Sequence, residues 1–177
     1  DTAMKTLIDQ LSNYADYHRD PRNIVTHYIG VPMIMQAVVI LLARLQWGAL
    51  GGMPISLALL TAVAAAVYYW RLDGRYGLFM SVLLAAMLAL ATPVAAQPMG
   101  SWLAWGLGLF VLGWVIQFVG HYWEGRKPAF LDDVMGLLIG PLFVAAELGF
   151  ALGLRKEVQA AVEQRSGPVR RRHPVSA

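Results

Sequence analysis

Residues 76–123 read YGLFMSVLLAAMLALATPVAAQPMGSWLAWGLGLFVLGWVIQFVGHYW, 48 positions without one Asp, Glu, Lys or Arg. A helix needs only ~20 apolar residues to cross a bilayer, so this run is too long for one crossing. Pro93 and Pro98 divide it, which predicts spans near 77–95 and 101–121. Upstream, the uncharged run 45–70 opens with Gly-Ala-Leu-Gly-Gly-Met-Pro and reads as a turn followed by a span from about Pro54 to Trp70 or Leu72. Tyr68, Tyr69 and Trp70 would form its aromatic belt. Before that, Asp20-Pro21 supplies an N-cap and a first-turn proline, so a helix should run from Pro21 to about Leu45. Residues 5–18 place Leu7, Ile8, Leu11, Tyr14 and Ala15 at helical spacing, an amphipathic helix expected at the membrane interface.

Downstream of the spans, Val134–Leu154 is apolar but carries Pro141 and an ionisable Glu147, and reads as a bent or re-entrant fifth segment. The expected fold is therefore all-α: a polytopic membrane helix bundle with about four full spans, an interfacial N-terminal helix and that bent segment. Asp1-Thr2-Ala3 precede Met4 and read as a cleavage remnant outside the fold, and no signal peptide is read after them. Residues 4–154 would form one membrane-embedded domain. The basic stretch 155–177 is expected to be a tail, disordered after about Gln164.

Composition agrees with this reading. Hydrophobic residues make up 58% of the 177 and charged residues 14%, against about 25% charged in soluble domains. Between Ile24 and His121 only Arg44, Arg71, Asp73 and Arg75 are charged. The absence of cysteine excludes disulfides, thiolate metal sites and cysteine nucleophiles. The net charge of +3 is concentrated towards the C-terminus and is read as orientation and lipid attraction, with no role in binding nucleic acid. Lys5, Arg19, Arg22, Arg71, Arg75, Arg126, Lys127 and six basic residues after Leu154 place both termini on the cytoplasmic side by the positive-inside rule.

That topology gathers His18, His27 and His121 at one membrane face and leaves His173 in the tail. On one continuous helix His18 and His27 would point about 180° apart, so their convergence needs the break at Asp20-Pro21. His121 and Glu124 share a helical face three residues apart. Such histidines serve either as interfacial hydrogen-bonding groups or as ligands, and three together with a carboxylate suit iron or zinc equally on softness. Glu147 calls for a partner, expected among Arg126, Lys127 and the histidines, unless the segment only grazes the interface and the carboxylate is solvated. Arg126 and Lys127 are suited to a fatty carboxylate or a lipid phosphate, or serve only as the positive-inside signal.

The segment Tyr17-His18-Arg19-Asp20-Pro21-Arg22-Asn23-Ile24-Val25-Thr26-His27-Tyr28-Ile29-Gly30-Val31-Pro32 resembles the opening motif of the 2-hydroxy fatty acid dioxygenase family of fungi and bacteria. Two further segments agree, Gln117 to His121 followed by Glu124 to Ala129, and Gly140 to Phe143 with Glu147. The resemblance covers residues 5 to 154 and implies an iron(II)-dependent membrane enzyme of fatty-acid α-oxidation. Such an enzyme uses oxygen to shorten a 2-hydroxy fatty acid by one carbon, here in a bacterial inner membrane. It implies His18, His27 and His121 as ligands of Fe(II), and Glu124 as a fourth ligand or an orienting group. Asn23 and Arg126 become candidate catalytic partners of the substrate's carboxylate or hydroxyl, with Arg126, Lys127 and Glu147 as substrate-binding candidates. The acyl chain would lie among the alanines and leucines of the spans. Two other readings stand beside this one. A di-iron lipid hydroxylase would need more histidines than these, and a non-enzymatic lipid-binding or scaffold protein would need none of them to bind metal.

Overall fold

The computed structural model describes residues 6–170. The remnant reading of residues 1–3 and the position of His173 lie outside the described residues. Seven α-helices follow in chain order: α1 (Leu7–Ala15), α2 (Pro21–Ala43), α3 (Leu57–Leu72), α4 (Gly74–Ala95), α5 (Met99–Glu124), α6 (Gly136–Ala151) and α7 (Lys156–Ser166). A two-stranded hairpin, β1 (Gln46–Leu50) and β2 (Met53–Ser56), and a 3-10 turn (Ala129–Leu131) complete the described elements. The architecture is the expected all-α membrane bundle, with the hairpin as a small addition.

Three helices, α2, α4 and α5, are long and apolar enough to cross a membrane. The sixteen residues of α3 span about 24 Å, short of a hydrocarbon core of about 30 Å, and begin at Leu57 rather than Pro54. The three residues Pro54, Ile55 and Ser56 belong to β2. The hairpin turns at Gly51 and Gly52, both with positive φ (56° and 82°), the backbone a tight two-residue hairpin requires. The glycine pair read from sequence as a generic turn therefore marks a strand pair. The bend of the fifth segment is also displaced. Pro141 lies inside α6, and the chain turns by 114° between α6 and α7, where Gly153 (φ 75°) and Arg155 (φ 50°) adopt left-handed backbone.

The chain divides into two compact units, 1–29 with 116–177 and 30–115. In the second unit α3 and α4 form an antiparallel pair around Asp73, which ends one helix and caps the next by accepting from the Arg75 and Tyr76 N–H groups at 2.9 Å. Gly77 lets α4 approach Trp70, since a Cβ there would lie 2.7 Å from the Trp70 Cα. Tyr69, expected in an aromatic belt, is instead buried. Val39, Ile40, Ala43, Ala58, Met87, Ala91 and Ala95 form the core. Arg44 donates to the Ala95 and Gln97 carbonyls at the end of α4 and lies over the Trp102 ring.

The first unit is organised around α1. Thr6 and Asp9 form a reciprocal capping box at its start, and Leu7, Leu11, Tyr14 and Ala15 bury the stripe that periodicity marked. This helix packs on both α6 and α7. The expectation of disorder after Gln164 fails for the described part of the tail. Val158 and Val162 of α7 are buried, Ser166 Oγ donates to Ser12 O at 2.9 Å, and Arg165 pairs with Asp9. The polar composition of 155–166 reflects an amphipathic helix with one narrow apolar stripe, which a composition argument overlooks.

Candidate metal centre

α1 ends at Ala15, residues 16–20 turn, and α2 restarts at Pro21 with Asp20 Oδ1 accepting from the Arg22 N–H at 2.8 Å. The turn carries His18 and the first turns of α2 carry His27. Across this break the two rings meet with their Nε2 atoms 3.0 Å apart. His121, near the end of α5, completes the group: its ring centroid lies 4.8 Å from that of His18 and 5.1 Å from that of His27. All three histidines are buried, and one ligand atom from each lies within 4.8 Å of the others. Gly120 permits this approach. A Cβ there would lie 2.0 Å from Thr26 Oγ1 and 2.5 Å from Asn23 Oδ1, so only a glycine admits α2 so close beside His121.

The tautomers follow from the partners. His18 Nδ1 is 2.7 Å from Tyr14 O, and His27 Nδ1 is 2.8 Å from Asn23 O. A carbonyl only accepts, so each Nδ1 carries the proton and each Nε2 presents a lone pair. Two lone pairs facing each other at 3.0 Å repel unless a cation lies between them. His121 Nδ1 is buried with no hydrogen-bond partner among the described residues. The donor set thus fits a metal ion. Burial, then the neighbouring His27 imidazole, holds His18 well below its usual value of 6.5, which keeps it in the neutral form a metal needs. Tyr14 stacks on His18 with centroids 4.2 Å apart and rings 4° from parallel, and Phe143 of α6 closes on the same ring at 5.3 Å. Gly140 makes room for the Tyr14 hydroxyl, 2.9 Å from where a Cβ would stand.

The carboxylate of Glu124 is fully occupied by donors. Oε1 accepts from the Arg19 N–H at 3.1 Å and lies 3.3 Å from the Arg170 guanidinium. Oε2 accepts from the Asp20 N–H at 2.7 Å and from Asn23 Nδ2 at 3.2 Å. Glu124 therefore clamps the turn between His18 and α2. Arg19, which sequence reasoning passed over, is the second clamp. Its Nε donates to Ala15 O and His18 O, Nη1 to Gly167 O, and Nη2 to Glu147 Oε1 at 3.3 Å. Glu147 is thus buried and paired with Arg19 rather than with Arg126, Lys127 or a histidine, and is not solvated. Arg126 donates to Asp16 O and lies over the Tyr17 ring at 4.6 Å, while Lys127 pairs with Asp132 at 2.5 Å. Both are tied to the exposed rim of the turn rather than to the histidines. Arg170 N also donates to Arg19 O at 2.8 Å, so the chain beyond α7 joins the same cluster. A buried arginine beside a histidine leaves no mark in periodicity, whereas Tyr14 was legible only as part of the apolar stripe of α1.

The family model described as "2-hydroxy-palmitic acid dioxygenase Mpo1-like" matches residues 4–152. The 2-hydroxy-palmitic acid dioxygenase MPO1 of Saccharomyces cerevisiae is 34% identical over 159 residues, covering 89% of this chain and 87% of that protein. No solved structure matches.

Proposed function

Because the chain belongs to the 2-hydroxy-palmitic acid dioxygenase Mpo1-like family, we propose that it is an iron(II)-dependent dioxygenase that shortens 2-hydroxy fatty acids by one carbon. The observation that carries this reading is the pair of Nε2 lone pairs held 3.0 Å apart beside His121, with all three histidines buried. Nitrogen donors with a nearby carboxylate suit non-haem iron. When bound, iron(II) supplies the one-electron chemistry that molecular oxygen requires.

The protein's own residues do the rest. Tyr14 O and Asn23 O hold the His18 and His27 rings as acceptors towards the ion. Glu124, engaged by four donors, orients the ligand-bearing turn and is not a fourth ligand in this reading. Phe143 and Tyr14 exclude water from one side of His18. Asn23 addresses the polar end of the substrate, with Arg126 at the rim as the entry-side cation for its carboxylate. Lys127 and Glu147 are withdrawn from direct substrate contact, because each already holds an ion-pair partner. The acyl chain lies against the apolar spans, and the bilayer delivers it. By the positive-inside rule both termini and the metal site face the cytoplasm, in a bacterial inner membrane.

The test supplies detergent-solubilised protein with iron(II), oxygen and a long-chain 2-hydroxy fatty acid, and reads products by mass spectrometry. The expected product is the fatty acid with one carbon fewer, with no turnover of the unhydroxylated acid. A folded, iron-loaded protein that leaves a range of 2-hydroxy acids unshortened would remove the assignment.

A further inference from the structure

Two buried side-chain oxygen acceptors, on Asn23 and Gln117, lack a donor among the described residues. Asn23 is fully buried, and its Nδ2 donates to Tyr17 O and Glu124 Oε2, each at 3.2 Å. Both partners are acceptors only, so the amide cannot be turned round. Oδ1 is thereby fixed against α5 at Gly120, with no hydrogen-bond partner among the described residues. Gln117 stands three residues before Gly120 and four before His121, on the same face of α5. Its side chain is buried too (5% exposed), and its Oε1 likewise has no partner among the described residues. Helical side chains lean towards the N-terminus, so the His121 ring lies over the turn that carries Gln117. In a membrane-spanning helix an unpaired amide oxygen has no bulk water to turn to, so burying the Gln117 oxygen is costly unless a ligand supplies the donor.

We infer that Gln117 Oε1 accepts the hydrogen bond of the substrate's 2-hydroxyl and so selects 2-hydroxy acids over unsubstituted ones. The inference rests on the function proposed above and names the feature of the substrate that the site reads. An ionised 2-hydroxy acid carries one hydrogen-bond donor, its hydroxyl, since the carboxylate and the alkyl chain have none. An acid without that hydroxyl leaves the Gln117 oxygen unpaired, and sites built around a hydroxyl discriminate far more strongly than apolar pockets do. Gln117 lies one helical turn from His121 on the side of the membrane core, where the atoms next to the carboxyl group would pass into the acyl chain.

Binding of hexadecanoic, 2-hydroxyhexadecanoic and 2-fluorohexadecanoic acids to the full-length, detergent-solubilised protein tests this, with zinc in place of iron to prevent turnover. Fluorine is close to a hydroxyl in size and donates no hydrogen bond. The wild-type protein should bind the hydroxy acid at least about 10-fold tighter than the other two. Gln117→Met should remove about 10-fold of that affinity, leaving the other two acids and the zinc content unchanged. Equal binding of the hydroxy and fluoro acids to the wild type overturns the inference, and this comparison stands even if the variant does not fold. Weakening of all three acids alike shows a packing role for Gln117, and no change shows an acceptor satisfied by water; each overturns it as well. Failure of the proposed function looks different, namely a hydroxy acid that is preferred in binding yet never shortened by the iron-loaded protein.

Discussion

His18 Nε2 and His27 Nε2 lie 3.0 Å apart although each ring is committed, through its Nδ1, to a backbone carbonyl four residues earlier in the chain. The α-helical i to i−4 carbonyl that orients each ring also prevents either from donating to the other. A cation resolves the conflict, and the protein should be measurably less stable without one. Titrating iron(II) anaerobically into metal-stripped protein should raise its melting temperature, by an amount equivalent to about 2.7 kcal/mol at a hundredfold excess over the dissociation constant. Alanine at His18, His27 or His121 should abolish the rise together with activity, and His173→Ala should alter neither. Full iron occupancy and normal turnover in His121→Ala would remove that residue from the ligand set.

Glu124 and Arg170 should separate by magnitude. Glu124→Ala strands the buried N–H groups of Arg19 and Asp20, at about 1–3 kcal/mol each, and frees the turn that carries His18. Metal affinity is expected to fall about 10–100-fold, as for other groups that orient a ligand. The half-exposed Arg170 contributes an ion pair worth about 0–1 kcal/mol, so Arg170→Ala should lower affinity only slightly. Equilibrium metal titration of the two variants checks the order, and an Arg170 effect as large as that of Glu124 would contradict it.

Gly120→Ala should be disruptive out of proportion to its size. The new methyl would overlap Thr26 Oγ1 and Asn23 Oδ1, forcing α5 from α2 at the position next to His121. A loss of about 1–3 kcal/mol in stability is expected, with weakened metal binding. Gly108→Ala, where a Cβ meets nothing within 4 Å, is the control and should change neither quantity in denaturation and metal titrations.

The docking of α7 on α1 should be sensitive to acid. Hydrogen bonding to Arg165, then to Thr6, lowers Asp9 from 3.8 to about 2. A carboxylate depressed in the folded state stabilises it above its unfolded value and loses that contribution as the pH falls through the folded one. Protection of α7 from proteolysis should therefore weaken between about pH 4 and pH 2. Asp9→Asn should show the weakened state at neutral pH, and unchanged protection in that variant would assign the docking to Val158, Val162 and the Ser166 hydrogen bond instead.

Reporter fusions at the two ends should both give cytoplasmic signals. Arg71 in the last turn of α3 and Arg75 in the first turn of α4, with Arg126 and Lys127 after α5, carry the charge that sets this orientation. A periplasmic signal from the C-terminal fusion alone would require an odd number of crossings, either α2, α4 and α5 alone or α2 to α5 with α6 and α7 as a fifth span.

Hydropathy and helix signals are local, and what depended on them could be read from the chain. The uncharged run 76–123 with its two prolines set α4 and α5 to within a few residues, and Asp20-Pro21 marked the break that lets His18 face His27. The three histidines were legible for the same reason: each is rare, and each sits at the edge of an apolar segment. The hairpin at Gly51-Gly52 was passed over because an exposed strand pair of four or five residues shows little alternation. Tertiary structure alone decided the partners. Glu147 meets Arg19 across 128 positions, Glu124 meets the Arg19 and Asp20 N–H groups across more than a hundred, and Arg170 returns from beyond α7 to the same carboxylate. A buried charge must find an opposite charge or a donor, but which one it finds depends on how α1, α6 and α7 pack, and that packing is a property of shapes brought together over the whole chain.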